Sequence, residues 1–160
     1  MQQLDIWPSK QAKIFIEAVE AQWGCRWKPE GALAGTAKGR VFYVTRDLAN
    51  IDWRKLRISS VGLYISEFIE GKLRLSMEGS QLIGPFATKN IVEITRESAK
   101  QWLKGDDIEV EDASAEGSAG TAFKGHVIIK SGDDFFGSGP FKEGAILNHV
   151  SKGRRLPPQA

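Results

Sequence analysis

The sequence predicts an α+β chain: an N-terminal α/β half followed by a small β-barrel with a short helix. Two observations carry this. One amphipathic stripe near the start is followed by short β-branched and aromatic runs, and glycine turns separate those runs. Many short strands with glycine punctuation are the outline of a closed or nearly closed barrel. A length of 160 residues suits one large domain or two small ones packed together.

The first helix is expected over residues 8–23. Pro8 suits a first turn, where a missing N–H costs nothing, and Ala12, Phe15, Ile16, Val19 and Trp23 recur at three- and four-residue steps. Gly24 ends the helix as a cap. Residues 28–39, with three glycines, read as a turn or hairpin tip. Val41–Thr45 is β-branched and aromatic and predicts a strand, and residues 47–56 predict one or two helical turns. A strand is expected over 58–68 with Gly62 as a bulge, then a turn at Glu70-Gly71 and a strand over 72–77. In that last strand Leu73 and Leu75 alternate with Lys72, Arg74 and Ser76.

Gly84-Pro85 punctuates the chain, and the boundary between domains is expected near 84–89, giving domains at 1–86 and 87–156 with a tail at 157–160. The second half opens with a strand at 91–94. Thr95 is the N-cap of a helix over 96–104 that buries Ala99, Trp102 and Leu103, with Gly105 as its C-terminal cap. A short strand at 108–110 precedes a small, polar stretch at 113–120 that reads as a mobile loop. His126–Lys130 is a core strand, 131–134 a hairpin turn, 135–141 a glycine-rich strand pair or bend, and 145–150 a last strand.

Hydrophobic content of 41% and charged content of 26% are ordinary for a globular protein. No apolar run is long enough for a membrane span, and the N-terminus has neither the basic start nor the apolar core of a secretory signal. Cys25 is the only cysteine, which excludes an internal disulfide and a multi-cysteine zinc site. These features predict a cytoplasmic protein. The net charge of +2 says little, but its distribution says more. Lys38, Arg40, Arg46, Arg54, Lys55 and Arg57 crowd residues 38–57, while 106–116 is acidic and Lys152, Arg154 and Arg155 return the C-terminus to basic. Separated basic and acidic surfaces let one face bind a polyanion without a high pI; a mixed solvated surface would carry the same residues.

Catalytic patterns are weak. Gly137-Ser-Gly139 lacks the third glycine and the following helix of a dinucleotide loop, so a strand bend explains it better. Cys25 reads as a buried structural cysteine rather than a nucleophile. His126 and His149 fall in no metal-ligand pattern, and no metal or cofactor is expected. His149 either contacts phosphate or a base within a basic rim, or is a surface histidine at a strand end. The tryptophans divide similarly. Trp23 and Trp102 fit helix cores and Trp7 the start of the first helix. Trp27 and Trp53 suit either core packing or stacking beside Arg54, Lys55 and Arg57.

Two stretches together resemble a known family. Residues 90–110 are similar to the opening strand, helix and Leu-Lys-Gly turn of PUA domains, here Leu103-Lys104-Gly105. Residues 125–155 resemble the end of the PUA-like tail of Sun-family RNA cytosine-5 methyltransferases, with Leu147-Asn-His-Val-Ser-Lys-Gly-Arg154 in place of the tail's final segment. Val150 and Ser151 depart there from a tyrosine and a proline. The run Arg40–Asp47, then 56–62 and 68–75, resembles the α/β domain that precedes the PUA domain in the Nip-seven ribosome-biogenesis factors. The likeness covers most of residues 8–155.

The resemblance implies a pre-PUA-like domain followed by a PUA-like domain. It implies a stand-alone, non-catalytic protein acting on structured rRNA or tRNA, in ribosome biogenesis or as an accessory to RNA modification. The Rossmann domain and Pro-Cys motifs of the methyltransferases have no counterpart in these 160 residues. Arg54, Lys55, Arg57, Lys152, Arg154 and Arg155 are the expected backbone contacts, with Asn148 and His149 near the same rim and the acidic run 106–116 facing away. Expected partners are RNA, with an RNA methyltransferase or pre-ribosomal proteins beside it, and no membrane. The alternative is a protein adaptor that docks onto such a methyltransferase or a ribosomal component without touching RNA.

Overall fold

The computed structural model describes residues 3–110 and 123–160. The expected mobile loop at 113–120 and part of the acidic run lie outside them. The fold is α+β and holds two five-stranded sheets.

The first sheet is an antiparallel meander in the order β1 (Asp5–Ile6), β2 (Ala32–Gly35), β3 (Arg40–Val44), β4 (Leu63–Ile69), β5 (Lys72–Leu75). Helix α1 (Ser9–Trp23) packs on it through Phe15, Val19 and Trp23, all fully buried. Gly24 takes φ 67° and donates its N–H to the Glu20 carbonyl at 2.7 Å, closing the helix as the sequence predicts.

Residues 28–39 are not simply a turn. Ala32–Gly35 pairs with β3, and only Thr36–Gly39 forms the hairpin tip. Ala and Gly have weak strand preference, so the pairing comes from the neighbours, with Leu33 and Ala34 buried against them. Gly35 lies directly beneath the Trp7 indole, where a side chain would collide. Two 3-10 turns, Arg46–Asn50 and Trp53–Lys55, occupy the segment expected to be helical.

The next strand starts at Leu63 rather than at residue 58, and its irregularity falls elsewhere than Gly62. Val41 pairs with Ser66 and Phe42 with Tyr64, so Ile65 is the extra residue of a bulge. Strand β5 ends at Leu75, because Ser76 turns away to cap a helix that the sequence did not predict, α2 (Met77–Ile83). The Ser76 hydroxyl accepts the Gly79 N–H at 3.0 Å and donates to the Tyr64 carbonyl at 2.7 Å. It thus satisfies one free helix donor and ties α2 to β4. Ser76→Ala is expected to cost about 1 kcal/mol, read from the urea midpoint.

The second sheet runs β6 (Ile91–Glu93), β8 (His126–Ser131), β9 (Asp134–Lys142), β10 (Ala145–Ile146), β7 (Ile108–Glu109). Strands β6 and β8 are parallel and the other pairs antiparallel. Helix α3 (Arg96–Lys104) lies between β6 and β7 in the chain. Thr95 caps it by accepting the Ser98 N–H, and Gly105 ends it at φ 108°. Residues 134–142 form one long strand rather than a strand pair. The β9 backbone has a positive φ at Gly137 (89°); its first part bonds β8, and its end bonds β10. The expected last strand stops at Ile146, since Leu147 already bonds back to Pro140 and Asn148 turns toward α3.

The two sheets share a core. Ile128 and Phe135 of the second sheet pack with Phe15, Trp23 and Ile65 of the first half. Polar bonds cross the same junction: Leu75 N–H to the Ser138 hydroxyl at 2.9 Å, Gly137 N–H to the Ser80 hydroxyl at 2.8 Å, and the Trp23 indole N–H to the His126 carbonyl at 3.1 Å. A second cluster around Trp102, Val127, Ile129 and Ile146 fills the second half. A third, around Leu4, Val44 and Trp53, fixes the 46–61 segment over one end of the first sheet.

Candidate nucleic-acid interface

The bulge at Ile65 decides what the open face of the first sheet presents. Arg40 lies opposite Glu67, and Glu67 opposite Arg74, while Phe42 lies opposite Tyr64. Side chains alternate along a strand, and the extra residue restores Tyr64 to the side of Glu67. Arg40, Phe42, Tyr64 and Arg74 therefore share one face. The Arg40 guanidinium lies 5.9 Å from the Tyr64 ring centre, and Phe42 and Tyr64 are 5.6 Å apart.

This face runs into a cleft between the halves. Strands β4 and β5 and the start of α2 form one wall, and β9 with the C-terminal segment forms the other. Its volume is about 260 Å³. Tyr64, Met77, Phe136 and Val150 supply apolar lining, Arg74 and Arg154 supply the cations, and His149 adds an imidazole. A second groove, of about 330 Å³, lies on the other side of Tyr64, reaching Arg40, Phe42 and Trp53. A third passes Arg74 toward Glu67, Glu70 and His126.

The sequence-predicted residues meet different fates. Arg154 stands at the cleft and forms an ion pair with Glu78 of α2. His149 lies in the cleft, its ring 6.0 Å from His126 and nearly perpendicular to it. Lys152 is exposed, as is Arg57, and neither forms an ion pair among the described residues. Arg155 donates to the Val150 carbonyl at 3.0 Å and packs against Gly105, which fixes the C-terminal segment to the end of α3. Asn148 does the same: its amide donates to the carbonyls of Trp102 and Asp106 and accepts the Val150 N–H. Both side chains thus shape the rim. Arg54 pairs with Asp5 at 3.3 Å and covers the Trp53 ring at 5.1 Å, and Lys55 pairs with Asp52 at 2.7 Å. Trp53 itself is buried, as are Trp23, Trp27 and Trp102. Asp107, in the acidic run, accepts the Asn148 N–H at 2.7 Å, beside His149.

Arg74 and Tyr64 were not picked out from sequence. The alternation of β5 put Arg74 on the outward side, but Tyr64 depends on a bulge that leaves no mark in the residue pattern.

Burial raises the Glu78 carboxyl, but the Arg154 guanidinium, the Glu78 backbone and the Ser76 hydroxyl outweigh it and hold the pKa below its usual range. Glu78 is therefore an anion partnered by Arg154. Burial also raises the Tyr64 phenol. Burial lowers His149, with Arg74 adding to it and Asp107 and Glu67 opposing. His126 falls to about 4 through burial, His149 and Arg74, and its buried Nε2 has no hydrogen-bond partner among the described residues. Burial raises the Cys25 thiol as well, as fits a structural cysteine.

His126 makes stability depend on pH. Its folded pKa lies below the ordinary value of 6.5, so the unfolded chain binds the extra proton between about 6.5 and about 4. This contribution is fully present above 6.5 and is lost as pH falls through that window. Urea midpoints should therefore decline from pH 7 to pH 5, and His126→Gln should flatten the decline.

Among the described residues, no group of three or more His, Cys, Asp or Glu could hold a metal ion, and no helix is long and apolar enough to cross a membrane.

The curled second sheet with its capped short helix is a PUA-like domain. Residues 89–156 match the family model of the methyltransferase RsmF PUA domain, so this part of the chain resembles the tail of Sun-family enzymes. Over 121 residues, 76% of this chain, it is 26% identical to the ribosomal RNA small subunit methyltransferase F of Aeromonas hydrophila. The same figures hold for the protein of that name from Aeromonas salmonicida. The chain spans a quarter of the length of these relatives, 25% in each case.

Proposed function

We propose that this protein binds structured RNA, rRNA or tRNA, in the cytoplasm, and serves its modification or the assembly of ribosomes. The observation that carries the reading is the union of Arg74, Tyr64, His149 and Arg154 at one cleft between the two halves. Cations neutralise phosphates while aromatic faces take bases, so the two kinds of group act on different parts of one ligand. Relatives named as ribosomal RNA methyltransferases make RNA the polyanion to test first. Arg54, Lys55, Arg57 and Lys152 extend the phosphate contacts, and Asn148 and Arg155 hold the rim in shape.

Binding rather than catalysis is the activity we assign. The Ser76 and Ser138 hydroxyls are committed to backbone groups, and Arg154 neutralises Glu78.

The test is the affinity for an rRNA fragment as salt rises from about 50 to about 200 mM. The logarithm of the binding constant should fall linearly with log salt, by about 0.7–0.9 per phosphate contact. Absence of binding at the low-salt end would overturn the reading. It would favour docking onto a methyltransferase or a ribosomal component, where exposed Ile51 and Leu56 beside the Trp53–Lys55 turn offer apolar contact.

A further inference from the structure

We propose that the cleft between the sheets seats one unpaired nucleotide, its base against Tyr64, Met77 and Phe136 and its phosphate at Arg74. This deepens the RNA-binding reading and rests on it.

Size argues first. A space of about 260 Å³ between β5, α2, β9 and the C-terminal segment holds a single small ligand and no part of a helix. A duplex laid across its mouth would reach only the rim. Its bases stay stacked, and the apolar lining would remain in water. An unstacked nucleotide uses both: base faces stack on apolar and aromatic side chains, and the backbone stays at the charged edge.

Charge then orients the ligand. Glu78 places a carboxylate among the lining residues, and its ionised state disfavours a phosphate deep in the cleft. Arg74 has no ion pair among the described residues and is half-buried on the outward side of β5. From Arg74 the open face continues across Tyr64 to Phe42 and Arg40, and the strand should leave that way.

The walls are also rigid. Ser138 bonds both backbone groups of Leu75, the Ser80 hydroxyl accepts Gly137 N–H, and Arg154 pairs with Glu78. A pocket held open in this way binds without first ordering its own side chains.

The experiment compares two RNAs at fixed salt by fluorescence anisotropy: a fully paired duplex, and the same duplex with one bulged nucleotide. The bulged RNA should bind about tenfold tighter, since stacking one base is worth about 1–3 kcal/mol. Ser151→Trp, at an exposed position lining the cleft, should remove that preference, so that the variant binds the two RNAs alike. Equal affinity of the unaltered protein for both RNAs would overturn the nucleotide cleft and leave RNA binding standing. So would a bulge preference that survives in a folded Ser151→Trp protein. No affinity for either RNA would overturn the RNA-binding reading itself. The comparison on the unaltered protein decides even where the variant fails to fold.

Discussion

Replacing Trp102 with alanine is expected to remove about 3–5 kcal/mol of folding stability, which is much of what a domain of this size possesses. The side chain is fully buried in the second core, where α3 meets β9 and β10. Its indole N–H bonds the Phe136 carbonyl at 2.8 Å, and its ring edge rests where a Gly139 side chain would stand, 2.9 Å away. Its own carbonyl accepts the Asn148 amide, which holds the C-terminal segment. Truncation opens a cavity and also leaves the Phe136 carbonyl unpaired. Trp102→Phe separates these effects. It keeps most of the apolar area and loses the hydrogen bond, so it should cost about 1–3 kcal/mol. Urea denaturation of both variants measures the difference. A loss below about 1 kcal/mol for alanine would show that the core collapses around the gap.

Reversing the charge at Arg74 should have the largest effect on binding. A hydrogen bond to a charged group is worth about 1.5–3 kcal/mol, so Arg74→Glu should weaken RNA binding roughly tenfold to a hundredfold at low salt. The salt slope should shrink by about 0.7–0.9, the share of one phosphate contact. Folding stability should fall by no more than about 1 kcal/mol: Arg74 lies on the outward side of β5 while Leu73 and Leu75 face the core, but a glutamate there stands opposite Glu67. Lys10→Glu is the control. It makes the same change in net charge at an exposed position on α1 and should cost far less affinity. Equal losses in the two variants would mean that net charge, rather than the cleft, governs binding.

Elements with strong local signals were legible in the sequence. The stripe from Ala12 to Trp23, the Thr95 cap and the Gly105 stop each follow from residues close together in the chain, and α1 and α3 lie where they predict. Strand β2 and helix α2 were not legible, for a shared reason. Ala32-Leu-Ala-Gly has poor strand preference, and Met77-Glu-Gly-Ser-Gln-Leu-Ile is too short to form a helix alone and carries a glycine in its middle. Both are set by neighbours: β2 by pairing on two sides, α2 by Gly79, whose missing side chain lets the helix rest on the Ile65 carbonyl. The site divides in the same way. Arg154 and His149 could be selected by charge and by family likeness, whereas Tyr64 reaches the cleft only through the Ile65 bulge. Asn148 and Arg155 illustrate the opposite case. Their residue types suit an RNA rim, yet backbone carbonyls of the protein's own fold occupy them.

The shared core has a consequence for how the molecule comes apart. Ile128 and Phe135 belong to the stretch that matches the PUA family, yet they are buried among side chains of the first half. Removing the first half would expose them, so neither sheet can melt without uncovering apolar surface on the other. The two halves should therefore unfold in a single cooperative transition, and slow amide exchange should extend across the junction rather than stop at it. The walls of the cleft are then held open by the whole folding free energy of the chain, and not by the smaller energy of a hinge.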